Sequence, residues 1–330
     1  MTSCSTWNTQ SIREEPSTPY LTPEQISAIL DSFNTVLKGK SLKPELKTPE
    51  EIEREKNLIP LDELYSKELK AIKVPKARLV SKEVIDSYAV KPEGVDLRSR
   101  DTSVKQQNGP LCTAWAGVAA MENIINKDKL LEGLDLSERD TFSKYNKYSC
   151  DAFIRALTLP SNKICNETYY PTAGSRSPEC EKTKYANISN YRYLGQDTRE
   201  IIRSLNEGNP VYIGMATPTD MVKCRSVINK FNGFSKGGHA LSASGYIVDP
   251  KTKEPILIIK NSWSNTCGDK GYQYLPISTL DMPASNSAYW EIKEVNTNGE
   301  VIITPAPKTC VKWKRTWYTI GIGKKCIEWE

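Results

Sequence analysis

Residues 112 to 125, C-T-A-W-A-G-V-A-A-M-E-N-I-I, carry the strongest helical pattern in the chain and constrain its fold more than any other stretch. Trp115, Val118, Met121, Ile124 and Ile125 form one apolar stripe, flanked by Ala114, Ala116, Gly117, Ala119 and Ala120. Small flanks let neighbours approach closely, so this helix is expected to be central and buried. Cys112 falls in its first turn. There the unpaired amides and the positive end of the helix dipole favour an anion, which brings a thiol pKa down.

Beyond Tyr193 the period shortens. A helix expected from Glu200 to Asn206 is followed by P-V-Y-I-G-M, H-A-L-S-A-S-G-Y-I-V and E-P-I-L-I-I-K-N-S-W, rich in branched and aromatic residues and broken by turn signals such as Asp249-Pro250. The last two read as an antiparallel pair turning around Lys251 to Lys253. His239, the one histidine of the chain, then starts one strand and Asn261 ends the other. Paired strand ends lie side by side, so the Asn261 carbonyl can accept the imidazole N–H and orient the ring.

At 330 residues, 38% hydrophobic and 26% charged, the chain can bury a sizeable core, and its net charge of +5 makes no electrostatic case for nucleic acid. No run of about eighteen apolar residues is present. The nine cysteines are never closer than fifteen residues, which lacks the paired spacing of zinc sites, so no metal and no cofactor is expected. Cysteine usage at this level fits an oxidising compartment with several bridges. Cys150–Cys180 and Cys310–Cys326 are the expected pairs, with Cys165, Cys224 and Cys267 left open.

Residues 1 to about 90 hold 13 Lys+Arg against 14 Asp+Glu and a single cysteine, unlike the rest. Thr22-Pro23-Glu24-Gln25 and Thr48-Pro49-Glu50-Glu51 are helix starts with reciprocal caps, and Ile26, Ile29, Leu30, Phe33 and Leu37 give the first helix a face to bury. Residues 71 to 95 read as an extended connector. Thr2, Ser3 and Cys4 resemble the end of a lipoprotein cleavage site, which makes export and a lipid anchor at Cys4 expectations, with the signal peptide absent from this sequence. At the other end, residues 309 to 330 read as a hairpin turning near Gly321 to Gly323, packed on the preceding domain.

Cys112 as thiolate, His239 as proton carrier and Asn261 as orienting group make a set for acyl transfer from a peptide bond to water. Gln106, six residues before Cys112, is the expected side-chain donor to the oxyanion, and Trp263 is expected to cover the His239–Asn261 bond. Each residue alone has a duller reading; their joint occurrence favours the catalytic one.

From about Val95 to Ile292 the chain resembles the papain-like cysteine peptidases, in particular a bacterial branch with T-A after the nucleophile. The matching residues are Val95-Asp96-Leu97-Arg98-Ser99, Gln106, Cys112, Leu136-Ser137-Glu138, His239-Ala240, Asn261-Ser262-Trp263 and Gly271-Tyr272. The resemblance implies an α+β two-lobe fold, a helical lobe at about 95–190 and a β-barrel lobe at about 191–292 within a domain spanning 91–295, followed by a C-terminal extension at 296–330. It also implies a helical propeptide over 1–90 that occupies the cleft. Gly214 and Gly238 fall at the pocket for the second residue before the cut and leave it roomy. Gly109 stands where the family has a half-cystine, so one family disulfide cannot form. The expected function is an exported, monomeric endopeptidase precursor acting on proteins or peptides; a silent binding module and a transpeptidase using the same acyl-enzyme are the alternatives.

Overall fold

The structure is a computed structural model that describes residues 19–36, 47–71, 88–128, 130–131, 133–145, 149–298, 310–318 and 321–329. Helices α1 (Pro23–Val36) and α2 (Pro49–Lys56) begin at the two Thr-Pro signals. Thr22 and Gln25 exchange capping bonds of 2.8 and 3.3 Å, Thr48 and Glu51 bonds of 3.0 and 3.2 Å. The apolar side of α1, through Ile26, Ile29, Leu30 and Phe33, packs on Val227, Ile256, Ile258, Tyr272 and Tyr274. Leu37 lies outside the described residues, as does Cys4. After α2 come the short strand β1 (Ile59–Pro60) and helix α3 (Lys67–Ala71).

The main body continues with β2 (Val95–Asp96), α4 (Cys112–Ile125), α5 (Glu138–Tyr145), α6 (Cys150–Leu157), α7 (Glu179–Lys182), β3 (Ala186–Gly195), α8 (Thr198–Asn206), β4 (Val211–Pro218), α9 (Thr219–Val222), β5 (Phe234–Val248), β6 (Pro255–Lys260), β7 (Tyr272–Pro276) and β8 (Ala288–Thr297). Six of the strands form an antiparallel sheet in the order β3-β8-β4-β5-β6-β7, and β1 and β2 both add to β5.

Helix α4 is central as its composition demands: every residue from Cys112 to Ile124 except Ala119 is buried. A Cβ on Gly117 would lie 2.8 Å from the Phe153 ring, so glycine is what lets α4 and α6 approach. One core joins α4, α6 and the near ends of β5 and β8; a second lies within the sheet and beneath α8. Strand β5 feeds both, with Ala240 in the first and Leu241 and Ala243 in the second. The result is the expected α+β arrangement of helices against an antiparallel sheet.

Two expectations need correction. Strand β5 starts at Phe234, so His239 lies within it, opposite Met215 of β4. The Gly-Gly pair before His239 extends the strand because β4 pairs with it on one side and β1 on the other. The disulfides are Cys165–Cys180, with Cα atoms 5.2 Å apart, and Cys224–Cys267, at 4.7 Å. Cys150 is therefore free, not bridged to Cys180. It opens α6 with its thiol turned toward Gly214, while Cys180 sits in the short helix α7, bridged to Cys165.

Strands β9 (Cys310–Tyr318) and β10 (Gly321–Trp329) form the C-terminal hairpin, closed by Tyr318 opposite Gly321, so Gly321 and Gly323 lie within its second strand. Its side chains, and the expected Cys310–Cys326 bridge, lie outside the described residues. Among the described residues no helix is long and apolar enough to cross a membrane.

Candidate active site

Helix α4 and the β5–β6 pair bring Cys112, His239 and Asn261 together. Cys112 is the first residue of α4 and fully buried, and its Sγ accepts the Ala240 N–H at 3.3 Å, next to His239. His239 Nε2 lies 2.9 Å from Asn261 Oδ1, whereas its Nδ1 is buried with no hydrogen-bond partner. The Trp263 ring stacks on the imidazole, with centroids 4.4 Å apart and planes 13° from parallel. An imidazole oriented through one nitrogen, with the other left free, is what a proton carrier needs, and the thiol is bound by the very next residue.

The side-chain oxygen and nitrogen of Asn261 are both held. Its Nδ2 donates to Gln273 Oε1 at 2.6 Å, and Gln273 Nε2 donates to the carbonyls of Arg225 at 2.8 Å and Met221 at 3.3 Å. Gln273 is fully buried. Since its carbonyl must face an Asn261 N–H, it leaves Asn261 Oδ1 as the atom facing His239. Sequence reading missed Gln273, although a glutamine alternating with buried tyrosines on β7 signals a buried polar contact.

Gln106 is placed differently from expectation. Its side chain is exposed and its backbone bridges to Trp263. The next residue, Gln107, points inward, because successive residues of extended chain face opposite ways. Gln107 Oε1 accepts the Ser262 hydroxyl at 2.5 Å, and its Nε2 donates to the Gly109 carbonyl at 2.8 Å, leaving a second N–H. The backbone is pinned too, with Gln107 N–H to the Ser262 carbonyl at 2.7 Å.

Lys105 fixes the same segment through its ion pairs. Its ammonium lies 2.5 Å from Asp135, 2.7 Å from Glu138 and 3.7 Å from Glu122. Burial pulls the Lys105 pKa down, but these carboxylates outweigh it and hold it well above its usual range. A Lys105→Met variant would strand buried carboxylates; it is expected to lose about 3–5 kcal/mol of stability, read by denaturant unfolding.

The N-terminal segment lies across this site. Ile59 and Pro60 pair with Gly238 and Gly237, immediately before His239. Leu64 fills the space over Gly238, and Tyr65 that over Gly214. Enclosure sets the electrostatics. Burial pushes the Cys112 thiol up to about 12, against bonds from the Ala240 and Thr113 backbone, and lowers His239 to about 4, against its bond to Asn261. In this closed state both groups are neutral across the ordinary pH range.

Comparison with known proteins agrees with this geometry. The family model described as papain family cysteine protease matches residues 91–287. Peptidase 1 of Dermatophagoides farinae is 28% identical over 197 residues, 56% of this chain and 60% of that protein's length. Mexicain of Jacaratia mexicana is 28% identical over 209 residues, 55% of this chain and 86% of its own length. Among solved structures, xylellain, a cysteine protease from Xylella fastidiosa, aligns with a TM-score of 0.55 at 22% identity, over 77% of this chain and all of its own. Digestive procathepsin L2 from the Tenebrio molitor larval midgut gives 0.56 at 18% identity, over 81% and 88% of the two chains. At these identities the structural likeness speaks for the fold, and the family match over most of the main body completes the case: the chain belongs to the papain family of cysteine proteases.

Proposed function

We propose that this chain is a cysteine endopeptidase held latent by its own N-terminal segment. The observation that carries the reading is the His239 imidazole, bonded to Asn261 through Nε2 with Nδ1 buried and unpartnered, in a strand whose next residue, Ala240, donates its N–H to the Cys112 thiol at the start of α4. In the open state the Cys112 proton passes to His239 Nδ1. The thiolate attacks the peptide carbonyl carbon, a C–S bond forms and the oxygen becomes an oxyanion. The second N–H of Gln107 and the Cys112 backbone N–H donate to that oxygen. Collapse breaks the C–N bond, and the leaving amine takes the proton from His239. Water then gives a proton to His239 and its oxygen attacks the thioester; the acid product departs and the proton returns to sulfur.

Latency rests on occupancy. β1 takes up strand-pairing positions on β5, and Leu64 and Tyr65 fill the space over Gly238 and Gly214, so no peptide reaches Cys112 while they stay. Two disulfides fit maturation in an oxidising compartment, the export reading.

The test is labelling with an epoxide-type thiol-peptidase inhibitor, located by peptide mass spectrometry. Label on Cys112 after the N-terminal segment is trimmed, and none in a Cys112→Ala chain, is the expected result. Absence of label in trimmed protein would sink the peptidase reading and leave a binding module. Product analysis with added amine separates hydrolysis from transpeptidation.

The pH dependence has a definite sign. Closed protein holds His239 near 4, while a solvated histidine sits near 6.5, so between these values the open state binds more protons. Acid therefore favours opening, by about 1.4 kcal/mol per unit of pH across that window. The labelling rate of the full chain, divided by that of trimmed protein, is expected to climb as pH falls from 6.5 to 4 and to be flat between about 7 and 8, below the range in which a free thiol ionises.

A further inference from the structure

Strands β6 and β7 are buried on both faces. Leu257 and Ile259 belong to the core within the sheet, while Ile256, Ile258, Tyr272 and Tyr274 belong to a separate cluster on the other side. Antiparallel strands with one wet face alternate apolar and polar residues, and P-I-L-I-I does not. The main body therefore requires a cover on the outer side of β6 and β7. Helix α1 is that cover: Ile26 is fully buried there, with Ile29, Leu30 and Phe33 packed around it.

Polar contacts fix the helix in one seat. The Leu21 N–H donates to Asp269 at 2.8 Å, and the Ser27 hydroxyl donates to Asp249 at 2.7 Å, both partners of the second bond being buried. Ahead of the helix the Tyr20 ring meets Tyr272 edge-on at 5.6 Å, with the Arg98 guanidinium 3.8 Å and the Lys270 ammonium 4.6 Å from its centre. Lys270 Nζ is buried with no hydrogen-bond partner among the described residues, so the ring is what meets its charge. The cleft, by contrast, is occupied by β1, Leu64 and Tyr65. Opening it asks nothing of α1, whereas stripping α1 would bare a patch of two isoleucines and two tyrosines of the kind that makes folded chains associate.

We propose that α1, with the residues ahead of it from Tyr20, stays on the outer face of β6 and β7 in the active enzyme as a non-covalently held second chain, and that only the cleft segment leaves. The inference rests on the latency reading, since it divides residues 1–90 into a part that blocks and a part that remains.

The test uses full-length Cys112→Ala protein with recognition sequences for a site-specific protease placed within 37–46 and 72–87, so that both cuts are made without the chain's own activity. A dilution series of the cleaved protein is then followed by gel filtration and native mass spectrometry. The fragment carrying α1 is expected to stay with the main body at dilutions that remove the cleft fragment; its loss at the same dilution, or before, overturns the inference. Ile26→Asp puts a charge into the buried cluster and is expected to weaken retention by more than about 100-fold. Tyr20→Ala, at the edge of the seat and milder for folding, is expected to weaken it by about tenfold. Retention unchanged in both variants overturns the assigned seat. With Cys112 intact and the same two cuts, epoxide label on Cys112 is expected in particles that still contain α1. Label confined to particles without α1 overturns the inference and leaves the peptidase reading standing. Retained α1, a lost cleft fragment and no label overturn the peptidase reading and leave α1 as part of the body.

Discussion

Replacing Cys112 by alanine in trimmed protein is expected to lower kcat by about 10⁶-fold, to the level left by binding and oxyanion donors alone, and His239→Ala by about as much. The two losses should not add, because each residue acts only through the other: the thiol needs an acceptor for its proton, and the imidazole has no other partner at Nδ1. A double variant no worse than either single one, in peptide hydrolysis, is the signature. A kcat for Cys112→Ala within tenfold of the parent would place the nucleophile elsewhere. Among the described residues the other free thiol is Cys150, which opens α6 with its sulfur against Gly214.

The second large effect separates two adjacent glutamines. Gln107→Ala is expected to cut kcat by about 100- to 1000-fold with little change in KM, since an oxyanion donor is used in the transition state and not in the ground state. Gln106→Ala, at an exposed side chain, is expected to leave both parameters within twofold. Steady-state kinetics of the two variants side by side decides the matter; a large loss in Gln106→Ala with none in Gln107→Ala would restore the spacing-based assignment.

That contrast shows where sequence reading runs short. Spacing from Cys112 selects Gln106, but the residue that turns inward is decided by which strand face meets Ser262, a tertiary fact. Helix α4 and the β5–β6 pair were legible because their patterns of small, branched and aromatic residues coincide with their burial. Thr22 and Thr48 were legible because capping is local. Cysteine pairing was not: chain separation carries no information on which thiols meet, and Cys150 was assigned to a bridge although it opens a helix beside the pocket. The destination of α1 was hidden for the same reason. An amphipathic pattern announces that a face will be buried, not against what.

Helix α1 rests on the outer side of β6 and β7, whereas β1, Leu64 and Tyr65 sit in the cleft, so one stretch of chain grips the body at two separate places. It therefore acts as a bivalent ligand. A single cut after Tyr65 frees the covalent link but not the second foothold, and a cleft occupant that lets go is still tethered at millimolar effective concentration, ready to return. If the proposed latency holds, escape from it depends on dilution, or on a second cut that severs α1 from the cleft segment, and the onset of activity is expected to lag behind the first cleavage.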